Sequence, residues 1–261
     1  MELALTTLMD SMSRCGVPKR FKGEVKVKKL IGLFVMALIP AVWMVGCANN
    51  TTGPAATVRD PINLASAASF AVLAHTQITN SGPTTICGDL GLSPGTLVSG
   101  GPVLSCGGVS HVTDTAAAQA QADLTIAYND AAGRTSPALV AGNLGGKTYY
   151  PGLYKSTSGL AISSGDLTLD AQGNANGVFI FQIASTLIVS SARQVILAGG
   201  AKAANVYWQV GSYCSVDTTA SMVGTIMAHN QITFNTGAVL AGRALSQIDQ
   251  VTMLTNTITK P

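Results

Sequence analysis

Four short segments in the carboxyl-terminal third of the chain decide the fold: TLIVS (186–190), SVDTT (215–219), QITFN (231–235) and QVTM (250–253). In QITFN and QVTM an apolar residue alternates with a polar one, which is the pattern of a half-buried β-strand, and TLIVS and SVDTT fit the same register with Ile188 and Asp217 at outward positions. The side chains expected to point inward are Leu187, Val189, Val216, Ile232, Phe234, Val251 and Met253. Apart from Asp217, the residues between them then form one outer face of neutral hydroxyl, amide and methyl groups. Such a face suits an ordered, uncharged and repeating partner better than an ion or a nucleotide.

Similar runs recur along most of the chain. Short strands broken by Gly, Ser and Asn indicate either a β-sandwich or a stacked β-solenoid. We favour the solenoid, because about three runs recur every 20 to 30 residues or so, which is within the repeat length of stacked coils. Residues 113–132 differ, since their apolar residues follow helical spacing, with Thr113 or Asp114 as the cap and Gly133 as the stop. We expect this helix to pack along the side of the sheets.

The composition excludes several kinds of partner. Only 10% of the residues are charged, whereas about a quarter are charged in an average soluble domain. From Cys47 onward there are eight basic and nine acidic residues, so the net charge of that part is 8 − 9 = −1. No basic stripe remains that could follow phosphates, and we therefore expect no nucleic acid partner. His75, His111 and His229 lack metal-ligand spacing, so we expect neither a metal nor a cofactor.

Residues 1–46 have the features of an export signal. Several Lys and Arg residues precede an uncharged run from Leu30 to Gly46, which Cys47 follows. This order is typical of a bacterial lipoprotein signal, in which the cysteine is lipidated and becomes the new amino terminus. An uncleaved membrane anchor is the alternative, because about 17 apolar residues lie at the lower end of the membrane-spanning range. We expect an exported protein, either secreted or attached by lipid at the cell surface or outer membrane, with residues 47–60 as a linker and 61–261 as the folded domain.

Export makes disulfide bonds possible. Cys87 and Cys106 flank a loop rich in Gly, Pro and Ser, so we expect a local disulfide to close this loop. Cys214 is left without a partner and lies on the same side of its segment as Val216. We expect Cys214 to be a buried, unreactive thiol.

Eight segments occur in an order and at spacings that are informative as a set. They are INLASAASFAVLA (62–74), GDLG (88–91), YPGLY (150–154), LTLDA (167–171), VFIFQI (178–183), NVYWQVG (205–211), VGTIMA (223–228) and GRAL (242–245). Together they resemble the bacterial and fungal ice-binding proteins of the DUF3494 family, over about residues 62–261. The resemblance implies an all-β fold with one long helix: a right-handed, discontinuous β-helix (β-solenoid) of triangular cross-section, with the helix packed alongside.

The resemblance also implies that one flat side of the triangle binds ice and that the protein acts as an antifreeze. Some family members carry a disulfide before the helix, which matches Cys87 and Cys106. Stacked strands lie about 4.7–4.9 Å apart, so equivalent outward side chains form a lattice that can hold water in a crystal-like order. On this basis the predicted ice-binding residues are Ala161, Ser163, Thr186, Ile188, Ser190, Ser215, Asp217, Thr219, Gln231, Thr233, Asn235, Gln250, Thr252 and Leu254. We expect a monomer whose partners are an ice surface and, through its lipid, a membrane.

Two other functions are compatible with a β-solenoid. A polysaccharide-active enzyme would need paired acids in a groove and aromatic residues to stack sugars, but no Glu occurs after Glu24 and only 5% of the residues are aromatic. We therefore expect no enzymatic activity. A cell-surface adhesin that binds a polymer or another surface shares the fold, the tether and the neutral face, and it remains the alternative.

Overall fold

A computed structural model describes residues 59–261 of the chain. The predictions on the export signal, on Cys47 and on most of the linker fall outside these residues. Within 59–261 the chain forms 23 short strands, the helix α1 (Thr115–Gly133) and two 3-10 turns, Ala65–Ser69 and Ala203–Asn205. No helix in this part of the chain is long and apolar enough to cross a lipid bilayer.

The strands are short and follow one another closely. In chain order they are β1 (Phe70–Ala74), β2 (Gln77–Ser81), β3 (Thr85–Cys87), β4 (Asp89–Leu92), β5 (Leu97–Val98), β6 (Val103–Ser105), β7 (Ser110–Val112), β8 (Ala138–Leu139), β9 (Gly142–Asn143), β10 (Thr148–Tyr149), β11 (Gly152–Ser156), β12 (Leu160–Ile162), β13 (Leu167–Asp170), β14 (Phe179–Ile183), β15 (Leu187–Val189), β16 (Val195–Ala198), β17 (Val206–Val210), β18 (Cys214–Val216), β19 (Ser221–Ala228), β20 (Ile232–Phe234), β21 (Val239–Ser246), β22 (Val251–Leu254) and β23 (Thr257–Thr259).

The strands stack in parallel along three sides of a triangular β-helix. The first side is a sheet of eight strands in the order β5-β2-β22-β20-β18-β15-β12-β9. A twelve-stranded sheet supplies the second side, beneath α1, and part of the third, and β10-β13-β16 form the rest of the third side. The stacking order departs from chain order, because β2 lies between β5 and β22. This discontinuous β-helix confirms the fold expected from the sequence.

Two glycines allow the chain to turn the corner between the second and third sides. The long strands β19 and β21 pair over their whole length, and Gly224 and Gly242 are partners in that pairing. Gly224 has a φ of +95°. A Cβ atom on Gly242 would lie 1.9 Å from the carbonyl oxygen of Gly224, which is far inside van der Waals contact. Only residues without a side chain fit here, so both strands can pass from one side to the next.

The interior is a continuous apolar core with an aromatic column at its centre. The rings of Phe181 and Trp208 stack with centroids 4.4 Å apart, and Tyr154 stacks on Phe181 at 5.1 Å. The Nε1 atom of Trp208 donates a hydrogen bond of 2.8 Å to the carbonyl of Val223, which satisfies its one polar group. Consecutive strands of the second side thus hold each other through large buried surfaces.

The helix lies against the outer surface of the second side, as predicted. Its buried face includes Ala120, Leu124 and Ala127, which pack on a second apolar cluster with Leu153 and Ile180. The helix begins at Thr115 rather than 113. Thr113 has a φ of +56°, which is not helical, so Asp114 is the cap and its Oδ1 accepts a hydrogen bond from the amide of Ala117 at 2.8 Å.

Both predictions on the cysteines of the folded domain are confirmed. Cys87 and Cys106 form a disulfide that joins β3 to the residue after β6. Cys214 is a free thiol in the core. Complete burial raises the pKa of the Cys214 thiol well above its usual range, with a smaller effect from the nearby charge of Asp217. The thiol therefore stays protonated and acts as an apolar group.

Candidate binding face

The outer surface of the first side is the candidate binding face. Its central strands each show one partly exposed residue between two buried ones, as in Leu187, Ile188 and Val189. The same alternation occurs in β12, β18 and β20. The inward residues Leu187, Val189, Val216, Ile232, Phe234, Val251 and Met253 are all buried, as the sequence predicted.

The outward side chains form three rows that run along the stack. The middle row contains one residue from each of six paired strands: Ala161, Ile188, Ser215, Thr233, Thr252 and Thr79. The first row lies two residues earlier along the chain and contains Thr186, Tyr213, Gln231, Gln250 and Gln77, with Gly159 at the corresponding position before Ala161. The third row lies two residues later and contains Ser163, Ser190, Asp217, Asn235, Leu254 and Ser81. The six strands pair without a register shift, so the rows are continuous.

The structure brings all but one of the predicted residues together on this face. Ala161, Ser163, Thr186, Ile188, Ser190, Ser215, Asp217, Gln231, Thr233, Asn235, Gln250, Thr252 and Leu254 each occupy a position in one of the three rows. Thr219 is the exception. It lies in the turn between β18 and β19 with a φ of +57°, because the strand ends at Val216 and the chain turns the corner after Asp217.

Four residues of the face escaped the sequence prediction. Gln77, Thr79 and Ser81 extend the three rows by one strand, since β2 pairs with β22 in register. The alternation of Gln77, Ile78 and Thr79 is the same as in the predicted strands, but nothing in the sequence places β2 beside a strand 173 residues away. Tyr213 precedes the segment that was read as a strand, and its side chain is exposed in the first row.

Hydrogen bonds between neighbouring side chains fix the polar groups of the face. Thr79 donates from its hydroxyl to that of Thr252 at 3.1 Å. Gln231 donates from Nε2 to the hydroxyl of Thr233 at 2.7 Å. Gln77 bonds to Gln250 in the same way, from Nε2 to Oε1. These pairs join adjacent coils or adjacent rows, so the side chains hold one another in place.

The face is almost uncharged. Asp217 is the one charged residue in the three rows, and its Oδ1 accepts hydrogen bonds from Ser215 Oγ at 2.7 Å and from Asn235 Nδ2 at 3.0 Å. Within residues 59–261 no group of three or more His, Cys, Asp or Glu residues is arranged to hold a metal ion. The face can therefore offer hydrogen bonds and methyl groups at regular intervals, and little electrostatic attraction.

Buried asparagines hold one edge of the face. Asn256 is 3% exposed, and its Nδ2 donates to the carbonyls of Asn235 at 2.8 Å and Ala238 at 3.0 Å. Asn80 does the same one coil further, donating to the carbonyls of Gly82 and Gly100. The bonds from Asn256 to Asn235 and Ala238 and the bond from Asn80 to Gly100 join neighbouring coils at this edge, whereas the bond from Asn80 to Gly82 closes a turn within one coil.

The third side offers a smaller set of exposed strand residues for comparison. Thr85 and Thr257 are register partners on β3 and β23, and both are exposed. Val239 and Val103 continue the same row on either side, with 39% and 59% of their surface exposed. The register continues this row to Ser221 and Gln194, so the third side also carries an outward row of six residues.

Comparison with known proteins points to one family. The profile of the ice-binding-like family matches residues 72–259. An ice-binding protein of Flavobacterium frigoris is 36% identical over 230 residues, covering 81% of this chain and 81% of the relative. One from Nostoc is 40% identical over 197 residues, covering 75% and 72% of the two chains.

Solved structures agree with the sequence relatives. The crystal structure of an ice-binding protein from an Antarctic biological consortium is 52% identical and has a TM-score of 0.77, covering 79% of this chain and 94% of its own. The DUF3494 domain of a Shewanella frigidimarina ice-binding protein is 29% identical with a TM-score of 0.73, covering 78% and 99% of the two chains. The chain therefore belongs to the ice-binding protein family of the DUF3494 type.

Proposed function

We propose that this protein binds ice through the first side of its β-helix and so inhibits ice growth and recrystallisation. The observation that carries the proposal is the continuous middle row, with one small or apolar neutral residue on each of six parallel strands. The strand spacing of about 4.8 Å repeats along the row and gives a lattice of fixed period. Relatives named as ice-binding proteins support the same activity.

The chemistry of the rows suits the ordering of water. The hydroxyls of Ser215, Thr233 and Thr252 can each donate and accept a hydrogen bond. The methyl groups of the two threonines lie beside these hydroxyls, and Ile188 and Ala161 continue the row beyond Ser215 as apolar groups, so water finds few other partners there. Each contact is weak, so binding depends on many contacts made at once by a rigid array. Ice held at such a face can advance only between adsorbed molecules, and the curved front that results grows less readily.

Microscopy of a single ice crystal in a solution of the purified protein tests this proposal. Below the melting point we expect the crystal to develop facets and to stop growing over a measurable temperature interval. A heat-unfolded sample of the same protein is the control, because it has the same composition but no rows. Round crystals that grow as fast as in buffer would contradict ice binding. They would favour the alternative, an adhesin that binds a polymer or another surface.

We further propose that the domain is exported and tethered through a lipid on Cys47. The basic residues before Leu30, the uncharged run to Gly46 and the cysteine after it support this assignment. We expect the protein to fractionate with membranes in its native host, and Cys47→Ser to shift it out of the acylated pool. Recovery of the unaltered protein in the culture medium, without a lipid by mass spectrometry, would contradict the tether.

A further inference from the structure

The most unusual residue of the face is Asp217, because a carboxylate keeps its own hydration shell and would be expected to disturb ordered water. Its surroundings differ from those of a solvated surface charge. One of its oxygens accepts two hydrogen bonds from the protein, from Ser215 on its own strand segment and from Asn235 on the neighbouring coil. All three side chains are partly buried, and they lie in the third and middle rows.

The position of Asp217 makes this cluster central to the face. β18 is flanked by β15 and β20, and the rows continue on both sides. Ser215 belongs to the middle row, and its hydroxyl would rotate freely without a nearby acceptor. Asn235 could place either its carbonyl or its amide toward Asp217, and only the amide can donate there. One carboxylate therefore selects the orientation of two neighbouring polar groups.

We propose that Asp217 is a positioning residue of the ice-binding face, which acts by fixing the side chains of Ser215 and Asn235. Hydrogen bonds to an ionised acceptor are stronger than those between neutral groups. Ser215 and Asn235 then lose less side-chain conformational entropy when water binds, because they are already ordered in the free protein. Among the side-chain hydrogen bonds of the three rows, those of Asp217 are the ones with a charged acceptor.

The inference rests on the proposed function. If Asp217 positions its neighbours, its removal should weaken ice binding, whereas removal of a charge that only disturbs the face should strengthen it. Asp217→Ala removes both the charge and the acceptor. We expect the protein concentration needed for half-maximal recrystallisation inhibition to rise roughly fivefold, the factor that one net hydrogen bond corresponds to. Asp217→Asn keeps an acceptor oxygen in the same place but removes the charge, so we expect it to recover only part of the loss. If the charge were only tolerated, both variants would bind ice better than the natural protein.

The matched control is Asp170→Ala, which removes the same charge from the three-stranded sheet of the third side, where Asp170 bonds only to the amide of Gln172. We expect this variant to inhibit recrystallisation like the natural protein. A gain of activity in Asp217→Ala, or an equal loss in Asp217→Ala and Asp217→Asn, would overturn the proposal.

A second measurement needs no ice and separates this proposal from the function itself. In the NMR spectrum, the side-chain amide protons of Asn235 should exchange slowly with water in the natural protein and in Asp217→Asn, and faster in Asp217→Ala. If the protein fails to bind ice but this difference is seen, the positioning role stands and the function is wrong. If ice binding is found and the exchange rates are equal in all three proteins, the positioning role is wrong.

Discussion

At the scale of single residues, the corner glycines have the clearest steric role in the molecule. Gly224 and Gly242 lie opposite each other where β19 and β21 bend, and the backbone of one occupies the space that a side chain on the other would need. Side-chain rotation cannot relieve such a clash, because both atoms involved belong to the main chain or are fixed to it.

Gly242→Ala should therefore destabilise the fold by more than about 2 kcal/mol, since overpacking moves the backbone. The free energy of unfolding in urea measures this effect. Gly133→Ala is the matched control, because nothing lies within 4 Å of the position that its Cβ would take and alanine favours the helix end. A Gly242→Ala protein as stable as the control would mean that the corner can relax and that the close approach is unimportant.

The residues of the face show what a sequence can and cannot specify at this scale. The inward and outward positions of Ile232 to Phe234 follow from period-two alternation, because Thr233 is polar between two apolar residues, whereas Leu187 to Val189 are all apolar and take their register from Thr186 and Ser190 on either side. The turn position of Thr219 could not be read in this way. The segment SVDTT has no apolar residue after Val216, where the strand ends, but β-branched threonines are common in strands and so did not mark the turn in which Thr219 adopts a positive φ.

At the scale of elements, a polar row on the second side fastens α1 to the β-helix. Gln182 is 3% exposed, and its Nε2 donates hydrogen bonds of 2.8 Å to the carbonyls of both Ala131 and Arg134. Gln209 donates from Nε2 to the hydroxyl of Tyr128 at 2.8 Å, and Tyr128 in turn donates to the carbonyl of Val210. The helix end is thus satisfied by a strand side chain rather than by a left-handed glycine.

Gln182→Leu should lower the free energy of unfolding by roughly 1–2 kcal/mol, because carbonyls at the end of the helix lose their donor. Amide hydrogen exchange should accelerate in the last turn of α1 and in the residues just after Gly133. Recrystallisation inhibition should stay unchanged. Lys155→Leu is the control, since Lys155 pairs with Gln182 in register but is exposed. Equal stability of the two variants would contradict the fastening role.

Strand prediction succeeded where the elements are long enough to carry a pattern. β1 and β17 have the bounds that their apolar runs indicate, and the helix was found within two residues of its ends. Strands of two residues such as β5, β8 and β9 could not be found, because alternation needs a longer run. Their existence depends on pairing with the next coil rather than on their own sequence.

At the scale of the whole molecule, the amino- and carboxyl-terminal parts of the folded domain are interleaved. β2 stacks on β22, and β3 stacks on β23, so that residues far apart in the chain share every side of the β-helix. The sequence indicated a solenoid but not this stacking order. The partners of β2 are β22 and β5, and no local pattern in β2 specifies which strands lie beside it. On the first side, β2 from the amino-terminal part joins the face by pairing with β22 from the carboxyl-terminal part.

The arrangement of the three sides explains why the first side is the candidate for binding. The helix covers the second side, and the third side is divided between two sheets. The first side is a single sheet of eight strands, and its three outward rows are not covered by another element and carry one charged residue, Asp217. The central claim is that this side, rather than the exposed threonines of the third side, makes the contact with ice.

The most direct test compares two pairs of substitutions in the thermal hysteresis assay, which measures the gap between the melting and freezing temperatures of a seeded crystal. Thr233→Tyr with Thr252→Tyr places two large rings on register partners of the middle row, and Thr85→Tyr with Thr257→Tyr does the same on the third side. Both proteins should unfold at the same urea concentration as the natural one. We predict that the first pair loses most of the hysteresis and the second retains it; retention by the first pair with loss by the second would contradict the account.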